Sequence, residues 1–217
     1  MRFISDPPLP GSENMARDLG LLERAIVGEG PFLRLYAWAR PTLSLGYFQK
    51  ENEVAEAGAA ARLGVDVVHR FTGGGAILHH HEVTYAVALP PAHPWARMDV
   101  AGSYLEITRP LLELLRQNGV KVSYRGGEAS TRKTANCFAG SACPDIVAQG
   151  KKIFGSAQRR RQGAVLQHGS FLLDIDQALW EGIFGLRLGE GFISLAQVRP
   201  GMSLDWPSEL AQAYAPF

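Results

Sequence analysis

The chain has 217 residues, 46% hydrophobic and 20% charged, the balance of a globular protein able to bury a core. A formal net charge of +1 excludes a broad nucleic-acid footprint. Two cysteines exclude a disulfide framework, and no apolar run reaches the roughly 18 residues of a membrane span. Met1 to Ser12 carries an acid and three prolines where a secretory leader would be basic and then apolar. A reducing cytoplasm is therefore the expected setting, with both cysteines held as thiols. The basic run Arg159-Arg160-Arg161 is local and reads as a partly solvated face.

Ser12 reads as the N-cap of a helix over residues 13–27, with Met15, Leu19, Leu22 and Ile26 on one apolar face. Gly28 and Gly30 end it. Leu33 to Trp38 and Leu43 to Phe48 read as strands separated by Pro41. An alanine-rich helix is expected over Glu53 to Leu63, stopped by Gly64. Val65 to Phe71 reads as a strand and Thr72 to Gly75 as a turn, followed by paired strands at Ala76–His79 and Val83–Leu89.

Pro90, Pro91 and Pro94 mark a loop. A second long helix is expected near 100–117, with Leu111, Leu114 and Leu115 inward and Pro110 kinking it or delaying its start. Val120 to Tyr124 reads as a strand and 125–134 as a polar loop. Short strands follow around 135–139, 145–149, 152–158 and 164–173, then a helix over Asp176 to Phe184 and a weakly patterned tail. This order lacks regular βαβ alternation. It predicts an α+β fold of mixed, mostly antiparallel sheets with helices packed on the outer faces, in one domain over 1–217.

Three segments carry chemistry. Arg70 to His79 places Gly73, Gly74 and Gly75 after a strand, where exposed backbone N–H groups can cradle a carboxyl, phosphate or oxyanion. A tight turn is the plain alternative. His79, His80 and His81 do not read as a metal site, because strand neighbours point to opposite faces and no spacing completes a zinc pattern. His79 reads instead as a polar contact in a pocket. Gly150-Lys151-Lys152 reads as a hairpin turn, and the strand after it runs through Gly155, Ser156 and Ala157, small residues that leave room for an approach to the backbone. A lysine there aims its ammonium into a cleft or, as the alternative, is a solvent-exposed turn lysine. Cys137 is the candidate nucleophile, since a nearby ammonium lowers a thiol pKa. A buried space-filling cysteine is the alternative there.

Five ordered motifs resemble the lipoate–protein ligase and octanoyltransferase catalytic-domain family, over residues 12–175. They are Asn14 to Asp18, Pro41 to Gln49, Arg70 to His79, Gly150 to Gln158, and Gln167-His168-Gly169-Ser170. The resemblance implies a biotin/lipoate ligase-like fold. It also implies an octanoyl pocket drawing on Arg70, the three loop glycines, His79, Thr84, Gly155, Ser156, Ala157, His168 and Gly169. His81 to Tyr85 resembles the HELTY segment of the cysteine-dependent transferases, and Cys137 precedes Lys152 by fifteen positions, as it does in them.

By that resemblance, octanoyl passes from acyl carrier protein to Cys137. From there it passes to a lysine of a lipoyl domain, in a 2-oxoacid dehydrogenase or the glycine cleavage H protein, with Lys152 assisting and no cofactor. The alternative is an ATP-dependent lipoate–protein ligase using ATP and Mg and holding a lipoyl-AMP. Gly75 in place of the arginine frequent in the transferases favours that alternative. Neither reading involves a resident metal, a nucleic acid or a membrane.

Overall fold

A computed structural model describes residues 1–125, 145–185 and 191–217. Cys137, Phe138 and Cys143, with the strand expected around 135–139, lie outside the described residues.

Among the described residues ten strands form two sheets. The larger sheet contains β1 (Arg2–Ser5), β2 (Phe32–Tyr36), β6 (Glu82–Leu89), β7 (Val122–Tyr124), β8 (Ile146–Ala148), β9 (Lys151–Arg161) and β10 (Ala164–Leu172). Its spatial order is β1-β2-β6-β10-β9-β8-β7. Only the β1–β2 pair is parallel. The smaller sheet contains β3 (Thr42–Leu45), β4 (Asp66–His69) and β5 (Ile77–His79), in the order β4-β3-β5.

The central strands β2, β6 and β10 of the large sheet are buried on both faces because they carry apolar side chains at even and odd positions alike. Phe32, Ala88 and Leu166 meet Leu21, Leu22 and Ala25 of α1 (Gly11–Ile26). Their neighbours Leu33, Val87 and Val165 face away. They meet Ile107, Leu111 and Leu115 of α3 (Val100–Gln117) and Trp206, Leu210 and Tyr214 of α6 (Trp206–Tyr214). The small sheet packs Leu43, Leu45 and Leu78 against α2 (Ala59–Arg62) and α4 (Gln177–Phe184), through Ala59, Ala60, Trp180 and Ile183. A short α5 (Leu195–Val198) is the remaining α-helix among the described residues.

The α+β expectation holds, with helices outside mostly antiparallel sheets. Four local expectations change. Helix α1 begins at Gly11 behind Pro10, and Ser12 lies within its first turn. The helix expected over 53–63 is a 3-10 turn at Glu51–Glu53 followed by α2 alone, because Gly58 sits in the left-handed region (φ 74°) and breaks the run. The strands at 76–79 and 83–89 do not pair. β5 pairs with β3 and β6 with β2 and β10, the chain being redirected at His81 (φ 51°). Pro110 does not delay α3, which starts at Val100 where the Asp99 carboxylate accepts from Gly102 N–H at 2.7 Å.

Candidate active site

Strand β9 carries the lysine. Gln149 and Gly150, both left-handed (φ 51° and 76°), turn β8 back into β9 and place Lys152 second in the strand. The Lys152 N–H donates to Gly191 O at 2.8 Å, and its carbonyl accepts from Ile193 N–H at 2.9 Å. Its ammonium lies 2.8 Å from Asp145 Oδ1. The stem crosses the backbone at Gly155, where an added Cβ would sit 2.3 Å from Lys152 Cε and 2.6 Å from Nζ. Glycine at 155 is thus the condition for this lysine path.

The glycine loop is shaped by Arg70, which is only 4% exposed. Nη1 donates to Ser44 O and Ser44 Oγ, both at 2.7 Å, and Nη2 donates to Gly73 O at 3.2 Å and Gly75 O at 2.9 Å. Its Nε is buried without a partner among the described residues. Burial lowers the guanidinium to about 10; it stays charged near neutral pH. Close packing makes Gly46 necessary as well, since a Cβ there would lie 2.0 Å from Gly74 O.

Between these elements lies a cleft of about 270 Å³. Arg70, Gly73, Gly74, Gly75, Lys152, Gly155, Ser156 and Ala157 line it, as does Asp145. Ile77, Leu172, Trp180 and Phe192 give it an apolar wall. Two cations and a glycine loop beside an apolar wall suit an acyl group whose carbonyl oxygen gains negative charge during reaction.

The other expected residues stand behind Arg70. His79, Thr84, His168 and Gly169 line a small cavity of about 20 Å³ that shares Arg70, Ile77, Ala157 and Ser170 with the cleft. His79 stacks on Trp38 at 3.9 Å and bonds Ser44 Oγ and Glu82 Oε1, each at 2.6 Å. Thr84 Oγ1 and Ser170 Oγ donate to the same carboxylate oxygen, at 2.5 and 2.8 Å. His168 Nδ1 lies 2.9 Å from Asp18 Oδ2, and Nε2 lies 2.7 Å from Thr72 Oγ1. Burial lowers the His168 pKa despite Asp18, so the ring is neutral. Because a carboxylate only accepts, Nδ1 carries the hydrogen and Nε2 accepts from Thr72. This pair of bonds ties α1 to the glycine loop through β10. Among the described residues no three His, Cys, Asp or Glu side chains gather as a metal-binding group.

Sequence reasoning missed Asp145, Asp18, Ser44 and Trp38. Asp18 had a readable signal. It lies four residues after Asn14, and both are buried on the inner side of α1, where Asp18 bonds Arg34 Nη1 at 2.7 Å and Tyr36 Oη at 2.8 Å. Asp145 had none, because only the fold brings it to Lys152.

Residues 10–189 match the lipoyl protein ligase A/B catalytic domain family. An octanoyltransferase LipM of Carboxydothermus hydrogenoformans is 42% identical over 176 residues, covering 81% of this chain and 65% of that protein. The octanoyltransferase LipM of Geobacillus kaustophilus is 38% identical over 191 residues, covering 84% of this chain and 69% of that one. The chain thus spans about two thirds of the length of these relatives. Its fold resembles a lipoate-protein ligase A bound with ATP (TM-score 0.81, 22% identity, 99% of this chain and 84% of that chain). It also resembles a putative lipoate protein ligase from T. acidophilum (TM-score 0.80, 21% identity, the same coverage). With five motifs in order, a matching fold and a lysine-bearing cleft, the chain belongs to the lipoyl protein ligase A/B catalytic domain family.

Proposed function

We propose that this chain is an octanoyltransferase of lipoate biosynthesis, working as one catalytic domain in the cytoplasm. The observation that carries the reading is Lys152, fixed by Asp145 across Gly155, at the polar end of a cleft with an apolar wall. The similarity to two octanoyltransferases LipM supports it.

The Cys137 thiolate attacks the carbonyl of octanoyl acyl carrier protein. A carbon–sulfur bond forms to Cys137, the donor's carbon–sulfur bond breaks, and the carrier leaves as a thiolate that takes from solvent the proton Cys137 released there. The ε-amine of a lipoyl-domain lysine, in a 2-oxoacid dehydrogenase or the glycine cleavage H protein, then attacks the enzyme thioester. A carbon–nitrogen bond forms, the carbon–sulfur bond to Cys137 breaks, and the departing thiolate takes up the proton that the amine loses. Lys152 favours the thiolate and stabilises the oxyanion of each tetrahedral intermediate. Arg70 holds the glycine loop against the acyl group. His79, Thr84, His168 and Gly169 shape the inner end of the binding site. Thioester to amide is downhill, so this reading needs no cofactor.

The test is intact mass after incubation with octanoyl acyl carrier protein. An octanoyl adduct on Cys137, absent in Cys137→Ala together with transfer, is expected. Full transfer by Cys137→Ala overturns the reading.

One observation favours a second reading. Lys152, Arg70 and the loop at Gly73 to Gly75 also suit a phosphate, so an ATP-dependent lipoate–protein ligase would hold its adenylate there, with ATP and Mg supplying the activation. That enzyme releases pyrophosphate only with lipoate and Mg-ATP, and Cys137 is dispensable in it.

A further inference from the structure

Tyr47 and Phe48 are neighbouring aromatic residues left in solvent, 53% and 86% exposed, in the turn after β3. We propose that this turn, together with Arg159, docks the acceptor: an acidic domain whose carboxylates flank the lysine to be acylated. The inference rests on the acyl-transfer reading above and deepens it.

The turn is closed by its own bonds and tied to the site. Gln49 N–H donates to Gly46 O at 2.9 Å, and Gln49 Oε1 accepts from Gly46 N–H at 3.0 Å. His69 Nε2 lies 3.2 Å from Gln49 O and, facing a carbonyl, donates to it. Tyr47 N–H donates to Thr72 O at 2.9 Å, and Gly46 packs on Gly74 O. The turn and the glycine loop are thus joined as one body. On it the two rings meet edge to face at 4.9 Å. A single exposed apolar side chain is ordinary on a protein surface. Two in contact on a fixed backbone form an anchor that loses little freedom on binding.

Charge selects the kind of partner. Gly155, Ala157, Arg159 and Arg161 alternate onto one face of β9. The Lys152 stem crosses that face at Gly155. The glycine loop lies over Ala157, where a Cβ added to Gly74 would sit 4.0 Å from the Ala157 Cβ. Arg159 comes next on the same face, its guanidinium 5.6 Å from the centre of the Tyr47 ring. Arg159 and Arg161 are exposed, and neither forms an ion pair among the described residues. The Glu53 carboxylate, close in sequence, accepts from Lys50 N–H at 3.2 Å. The rim thus offers aromatic area edged by two unpaired cations, the complement of an apolar contact edged by carboxylates.

Reach selects the acceptor over the donor. Arg159 lies four residues from Gly155, roughly 13 Å along a strand, whereas a lysine side chain extends only about 6 Å. The acceptor domain must therefore settle on the rim itself to bring its amine to the acyl group. The donor carries its thioester on a longer flexible arm, and its folded part can stay farther away.

Phe48→Ala and Arg159→Glu test this, with the unacylated lipoyl domain of a 2-oxoacid dehydrogenase as acceptor. Its KM should rise about tenfold in each variant at nearly constant kcat. Added salt should raise that KM in the unmodified protein and change it much less in Arg159→Glu. Acylation of Cys137 by octanoyl acyl carrier protein, followed by intact mass, should keep its rate in both variants. An unchanged KM in either variant overturns the proposal. So does slower acylation of Cys137 at an unchanged acceptor KM, which would give the turn to the donor. If the unmodified protein transfers no octanoyl, the functional reading fails, and calorimetric titration with the same lipoyl domain still decides the docking surface. Weaker binding by both variants supports it, and equal or absent binding overturns it.

Discussion

Lys152 reaches the cleft across a residue without a side chain, and this makes the site sensitive to a single methyl group. Gly155→Ala would place a Cβ 2.3 Å from Lys152 Cε, displacing the ammonium. We expect at least a 100-fold loss of acyl transfer, comparable with Lys152→Ala, while the melting temperature stays close to that of the unmodified protein. Steady-state transfer assays beside thermal denaturation check this. Asp145→Asn removes the partner 2.8 Å from Nζ, and a loss of about tenfold in kcat is expected from misdirection of the lysine. An unchanged kcat would show that Asp145 does not position it. The turn glycine alone did not separate Lys152 from Lys151, and Lys152 was legible in the sequence through its place in the Gly150 to Gln158 motif, which resembles the family's lysine motif. Asp145 was not, since its pairing depends on the turn at Gln149-Gly150 and on the register break between Ile146 and Val147.

At the scale of elements, β10 is the strand on which the site rests. All nine of its residues are buried, and Gly169 lets it approach β9 and Tyr85 closely. A Cβ at 169 would lie 2.5 Å from Gly155 O and 2.8 Å from the Tyr85 ring. Gly169→Ala should cost about 1–3 kcal/mol by overpacking, measured as a lower urea midpoint. Helix α1 shows the limit of periodicity. The apolar stripe Met15, Leu19, Leu22 and Ile26 located its inner side, yet Asn14 and Asp18 are fully buried there while Leu19 and Ile26 are half-buried. They are buried because Arg34, itself 1% exposed, needs acceptors. Arg34→Met should destabilise by about 3–5 kcal/mol, because it leaves the Asp18 carboxylate buried without its cation.

For the whole molecule, stability should fall in mild acid. Burial holds His168, His80 and His93 below their ordinary value of 6.5, so below that pH the unfolded chain binds more protons than the folded one. This contribution is complete above pH 6.5 and is lost as pH falls through 6.5 toward the lowered folded values. The urea midpoint at about pH 5.5 should therefore lie below that at about pH 7.5, and His168→Gln should flatten the difference. An equal midpoint at both values would contradict the buried neutral ring. The amino-acid sequence by itself determined the helices at α1, α3 and α4, the nine described strands other than β1, and the glycine loop. These rest on contacts within a few residues: apolar periodicity, turn glycines and side-chain caps. Only the tertiary structure decided that β5 and β6 part into different sheets, and that α6 lends Trp206, Leu210 and Tyr214 to the core. It alone decided that Asp145 meets Lys152, and that Asp18 meets Arg34 and His168. Each joins groups whose pairing is set by sheet register and helix docking, where burial forces polar atoms to find partners far away in the chain.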